Sequence, residues 1–187
     1  MAEQSILAEI EGALASGSPR RQAEILRRVT DLFLAGAHSY SEEHVDLFDG
    51  VISRLAEKIE TKARAELASR LAPLANAPLA TVRRLARDES IEAAGPILAH
   101  SPRLTDEDLL AIAAGDSQER LLAISKRAAL SEPVSDALVS RGNRDVVLSV
   151  TRNAGPMQGE HLRRGRGTGG GKMSAGRREG QPKGLGR

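Results

Sequence analysis

The sequence predicts an all-α protein: a short solenoid of stacked helix pairs behind an N-terminal helical cap, with a disordered C-terminal tail. Three observations predict it. Apolar residues recur at three- and four-residue spacing through the first 155 positions, with no alternation of period two. Helix-capping signals return at regular intervals after residue 75. Composition then changes abruptly at Pro156: the last segment holds ten of the 18 glycines and eight Lys or Arg against Glu160 and Glu179.

Within the cap, assigned to residues 1–75, Ser18-Pro19 marks a helix start, a capping residue followed by proline at the first helical position. That helix runs through Ile25, Leu26, Val29, Leu32 and Phe33, and Gly36 ends it. Val45, Phe48, Ile52, Leu55 and Ile59 line one face of the next helix for more than four turns. Ser41 is placed to cap it, and Tyr40 and Val45 to form a hydrophobic staple. The pattern continues through Leu67 and Leu71, so 41–74 reads either as one long helix or as two that break near Glu60-Thr61.

From 76 to 155 the helices are short. Leu104-Thr105-Asp106 returns 26 positions later as Leu130-Ser131-Glu132. In the first copy Thr105 is the cap and Asp108 its capping-box partner, with Leu104 placed to staple onto Leu109. In the second, Ser131 takes the capping place and Pro133 stands in the first turn, where its missing amide costs nothing. Each copy continues into a short apolar helix, a turn (Gly115-Asp116-Ser117 or Gly142-Asn143) and a second helix. A looser copy precedes them, with Leu79, Val82 and Leu85, then Asp88 to Ser90 in the turn, then Ile91, Ile97 and Leu98. Pro96 predicts a kink in that second helix. A helix pair of this size buries too little apolar surface to stand alone, so stacked neighbours must supply the core. Nine or ten helices are expected in all.

Composition limits the chemistry. Without cysteine there are no disulfides, thiolate nucleophiles or Cys-ligated metals, which suits a reducing compartment. Aromatic residues are 2%, so the core must consist of Leu, Ile, Val and Ala. No apolar run approaches the ~18–20 residues of a membrane span, and Glu3 and Glu9 do not suit a secretory leader. A cytoplasmic protein with no membrane partner is expected. The net charge of +2 conceals an asymmetry, since the tail from Pro156 carries +6. Taking its charges from the totals of 27 and 25 leaves 19 basic and 23 acidic groups in 1–155, or −4. Met157, Leu162, Met173 and Leu185 are too few to offset the entropy of ordering 156–187. The tail's composition is also what out-of-frame reading of GC-rich coding sequence would yield.

Ile59 to Leu67, Arg70-Leu71-Ala72-Pro73-Leu74-Ala75-Asn76-Ala77-Pro78, Arg83-Arg84-Leu85-Ala86, Gly95-Pro96 and Leu104 to Leu109 together resemble an alphaproteobacterial family of uncharacterised HEAT-like proteins, domain of unknown function 2336. The resemblance covers about residues 5 to 154. It implies a bacterial cytoplasmic helical-repeat protein and carries over no catalytic residue.

No other pattern points to catalysis, a metal or a cofactor. The run from Arg166 to Ser174 lacks the first glycine and the hydroxyl residue of a phosphate-binding loop. Glu42, Asp46 and Asp49 fall on one stripe that could collect a hard cation, but an acidic first turn beside a helix N-terminus, with the rest facing water, is the ordinary account. Arg20, Arg21, Arg27 and Arg28 form a basic strip, and Arg83, Arg84 and Arg87 another. Glu24 with Arg28, Arg27 with Asp31 and Arg84 with Asp88 have the four-residue spacing of surface ion pairs.

The function expected is therefore a non-catalytic scaffold that binds a protein partner. Its interaction surface is assigned to exposed polar positions such as Arg83, Arg87, Glu107 and Asp108. The alternative is weak, salt-dependent nucleic-acid binding through Arg163, Arg164, Arg166, Lys172, Arg177 and Arg178 and the arginine-rich helix faces. An unclosed last pair, 130–154, predicts self-association or marginal stability.

Overall fold

The computed structural model describes Gly12 and residues 18–153 apart from 58 and 116. The predicted cap before Ser18 and the tail from Pro156 lie outside these described residues. Among the described residues every regular element is helical: α1 (Pro19–Gly36), a 3₁₀ turn (Ala37–Ser39), α2 (Glu42–Ala56), α3 (Thr61–Leu71), α4 (Leu79–Ala86), α5 (Ile91–His100), α6 (Asp106–Ala113), α7 (Gln118–Ser125), α8 (Glu132–Arg141) and α9 (Arg144–Asn153). They belong to one unit, Met1–Ala154, with a single core running from Ile25 to Val150 that is almost wholly Leu, Ile, Val and Ala.

Several boundaries follow from local chemistry. Ser41 caps α2 by accepting from the His44 amide, and Thr105 and Asp108 complete a reciprocal capping box at α6. Gly36 is the last residue of α1, and Tyr40 packs where its side chain would be: a Cβ there would lie 2.3 Å from the ring. That ring folds back to stack on Phe48, which meets Phe33 edge-on, so all three aromatic residues join α1 to α2. Ser18 and Ser131 hold the predicted N-cap positions, but neither side chain bonds its helix.

The stretch 41–74 is two helices. Ile59 keeps its buried position outside either one. The break is held from a distance: the Arg64 guanidinium donates to the Ile59 carbonyl at 2.7 Å and to Asp88 at 2.6 Å.

Helices touch in a regular order. α1 meets α3, α3 meets α5, α5 meets α7 and α7 meets α9; α2 meets α4, and α6 meets α8. Polar side chains reinforce the same steps. Arg27 and Asp31 of α1 pair with Glu66 and Arg70 of α3, and Arg84 of α4 pairs with Glu57 at the end of α2. The four-residue pairs Arg27–Asp31 and Arg84–Asp88 are therefore not formed. Each arginine finds its carboxylate on another element, where packing has already fixed the partner's position.

Helix ends are completed in the same way. A helix leaves its last carbonyls without intrahelical donors, and here they accept from side chains two elements further on. Asn76, after α3, donates to the Ala37 carbonyl beyond α1. Arg84 of α4 donates to Ser53 of α2, Arg127 after α7 to Leu98 and Ser101 at the end of α5, Arg141 of α8 to Ala114 after α6, and Asn153 of α9 to Ser125 of α7.

One N-terminus is served likewise. Pro78, the N-cap residue of α4, makes no side-chain cap bond. In its place Asp49 of α2 accepts from the Ala80 and Thr81 amides at 2.7 and 2.8 Å and from the Thr81 hydroxyl at 2.6 Å. Asp49 is thus buried, contrary to the expectation that it faces water. Replacing it with Ala removes a charged acceptor and strands two amides, and is expected to cost about 2–3 kcal/mol. Urea unfolding would show this as a lower midpoint with an unchanged slope; an unaltered midpoint would mean that α4 needs no cap.

Candidate interaction groove

Three of the four residues assigned to the interaction surface come together, for a structural purpose. Asp108 accepts from Arg83 at 3.0 Å and from Arg87 at 3.4 Å while completing the cap of its own helix. This ties α4 to α6. Asp108 is buried, not exposed as expected, because the cap turns its carboxylate inward and two arginines close over it. Glu107 is exposed and apart from the network. Burial alone would favour the neutral form of Asp108, but the bonds from Arg83 and Thr105, with the charge of Arg83, hold its carboxyl below the ordinary aspartate value. Asp88 behaves alike: burial is outweighed by its bonds from Arg64 and the Ser90 amide and by the nearby Arg120.

The acidic stripe on α2 does not form a metal site. Glu42 and Asp46 are exposed while Asp49 is committed to α4. Among the described residues no group of three or more His, Asp or Glu could hold an ion. Of the two arginine strips, Arg83, Arg84 and Arg87 all pair with carboxylates, as does Arg27 of the first, while Arg20 and Arg21 are exposed. The tail positions Arg163, Arg164, Arg166, Lys172, Arg177 and Arg178 lie outside the described residues.

An open groove of about 750 Å³ lies elsewhere, lined by residues of α3, α5 and α7 and of the turns after α3 and α7. Its floor is Ala72, Pro73, Ile91, Gly95, Pro96, Ala99, Leu122 and Ala123. Ser69, His100, Glu119 and Lys126 form an exposed polar rim. Small side chains from three adjacent helices make the hollow.

Pro96 lies inside α5, which continues to His100 despite it. Proline cannot donate to the Glu92 carbonyl, and an interior proline typically costs about 3 kcal/mol. Gly95 eases that fit, because the residue before a proline resists the helical conformation chiefly through its own Cβ; a Cβ at 95 would meet nothing nearer than 4.0 Å. The Gly-Pro pair therefore shapes the groove at a local cost to the helix. Sequence reasoning flagged the proline but missed the groove, which exists only once α3 and α7 flank α5.

Residues 93–158 match a family described as an uncharacterised protein conserved in bacteria (DUF2336). The match begins within α5 and includes Gly95, Pro96, Leu122 and Ala123. No curated protein and no solved structure matches the chain. Among the described residues no helix is long and apolar enough to cross a membrane.

The depressed values of Asp88 and Asp108 fix a pH dependence. Stability from such groups is fully present above the ordinary aspartate value of 3.8 and is lost as pH falls through the lower folded-state value. Asp108→Asn is expected to be about 1–3 kcal/mol less stable than the parent at pH 7, with the gap closing below pH ~4. A gap that persists unchanged to pH ~2 in urea titrations would contradict the role of the charge.

Proposed function

We propose that the chain is a non-catalytic HEAT-like helical-repeat scaffold in the bacterial cytoplasm, and that the groove over α5 receives an apolar segment of a protein partner. The reading makes 76–155 a short solenoid behind the cap at 1–75 and extends the family resemblance to about residues 5 to 154. It is supported by the contacts between elements two apart and by the 26-residue offset from α6 to α8 and from α7 to α9. The match at 93–158 supports a bacterial setting.

The groove is the observation that carries the function. An apolar floor within a polar rim suits recognition of a protein segment, and the interior proline that shapes it is a cost that folding alone would not select. The nucleic-acid alternative loses support from the second arginine strip, where Arg83, Arg84 and Arg87 pair with carboxylates of the same chain.

The test is retention of proteins from a nuclease-treated bacterial lysate by the full chain, by a version ending at Gly155, and by Ser69→Trp. Ser69 is exposed and its hydroxyl bonds only within its own helix, so the tryptophan should crowd the groove while changing stability by no more than about 0.5 kcal/mol. The expected result is the same proteins on the first two at moderate salt, lost at least tenfold on the third. Retention by the full chain alone, removed by nuclease or salt, would overturn the reading.

A further inference from the structure

The stepwise pairing of elements stops at α8 and α9, which no later described helix covers. Several arginines are answered by another element: Arg27, Arg64, Arg70, Arg83 and Arg84 by carboxylates, and Arg120, Arg127 and Arg141 by carbonyls. On α9, among the described residues, neither Asp145 nor Arg152 has an ion pair.

These two residues flank the exposed apolar side chain of the helix. Val146 and Val150 are buried in the core, while Leu148 is 42% exposed. Asp145, Leu148 and Arg152 are spaced by three and four residues, so they form one stripe on the side of α9 away from the core.

The stripe is complementary to itself in one direction only. Laid antiparallel on the same stripe of a second copy, Leu148 meets Leu148, and Asp145 of each copy meets Arg152 of the other. A parallel arrangement would oppose like charges. We infer that the α9 face is a self-association surface, on which a second copy of this chain docks antiparallel through Asp145, Leu148 and Arg152. A two-fold pairing uses the same patch on both copies, and it supplies α9 with the partner element that the earlier helices have within the chain. One helix from each copy buries less than the ~800 Å² per partner of a standard stable interface, so the pairing is weak, with dissociation on the order of 100 µM.

Sedimentation equilibrium of the full chain from about 10 µM to 1 mM tests this, spanning the expected dissociation range. The apparent mass should rise from 19.9 kDa toward twice that value. Asp145→Arg and Arg152→Asp should each associate at least tenfold more weakly, because each sets like charges against one another. Their equimolar mixture should recover the parental association to within about threefold, because both cross pairs become attractive again. Circular dichroism melts establish that each variant is folded, and Leu148→Gln, which leaves the charges in place, should also weaken association. A parent chain that stays at monomer mass, single variants that associate like the parent, or a mixture of folded variants that does not recover would each overturn the inference.

Discussion

Short helices have few hydrogen bonds of their own and many unsatisfied ends, and the structure depends on how those ends are met. α4, α6 and α7 have eight residues each. In a helix that short, most carbonyls and amides belong to a terminus. Helices of this length are not stable alone in water, so both apolar burial and completion of polar ends must come from neighbours. The repeated solution is a side chain from the element two steps further along. Asn76, Arg84, Arg127, Arg141 and Asn153 serve carbonyls in this way, and Asp49 serves amides in the opposite sense. The same residues that finish one helix fix the position of the next.

This arrangement gives many arginines of the described helices a partner within the chain. A guanidinium can satisfy a carbonyl and a carboxylate together in a fixed plane, and Arg64 and Arg84 each do so. Burial lowers the Arg127 pKa, with the charge of Asp106 opposing the shift. Its two carbonyl bonds compensate for that desolvation. Surfaces that remain open include the groove over α5, where alanines, Gly95 and Pro96 leave room, and the Asp145–Leu148–Arg152 stripe on the outward side of α9.

Several features that act within four residues were legible in the sequence. Ser41 and its helix, the Thr105–Asp108 box, the stop at Gly36 and the short helices after residue 75 all follow from local rules. Features that need two distant segments were not. Arg27 and Asp31 have helical pair spacing, yet each bonds α3 because packing brings Glu66 and Arg70 alongside. Asp49 reads as an ordinary acidic surface residue until α4 arrives with free amides. The break between α2 and α3 carries no glycine or proline and is held by Arg64, itself anchored by Asp88. For the groove, the sequence offered one clue, a proline inside a helix, without the flanking helices that make it a surface.

The most direct test of this account is native-state amide hydrogen exchange on the parent chain and on Arg127→Met, which keeps an unbranched apolar stem but removes the guanidinium donors. The account predicts that the Ser101 amide at the end of α5 and the Arg127 amide after α7 lose protection together, while amides of α1 and α2 are unchanged. Unchanged protection at Ser101, or a uniform loss throughout the chain, would contradict the claim that helix ends are held locally by side chains two elements away.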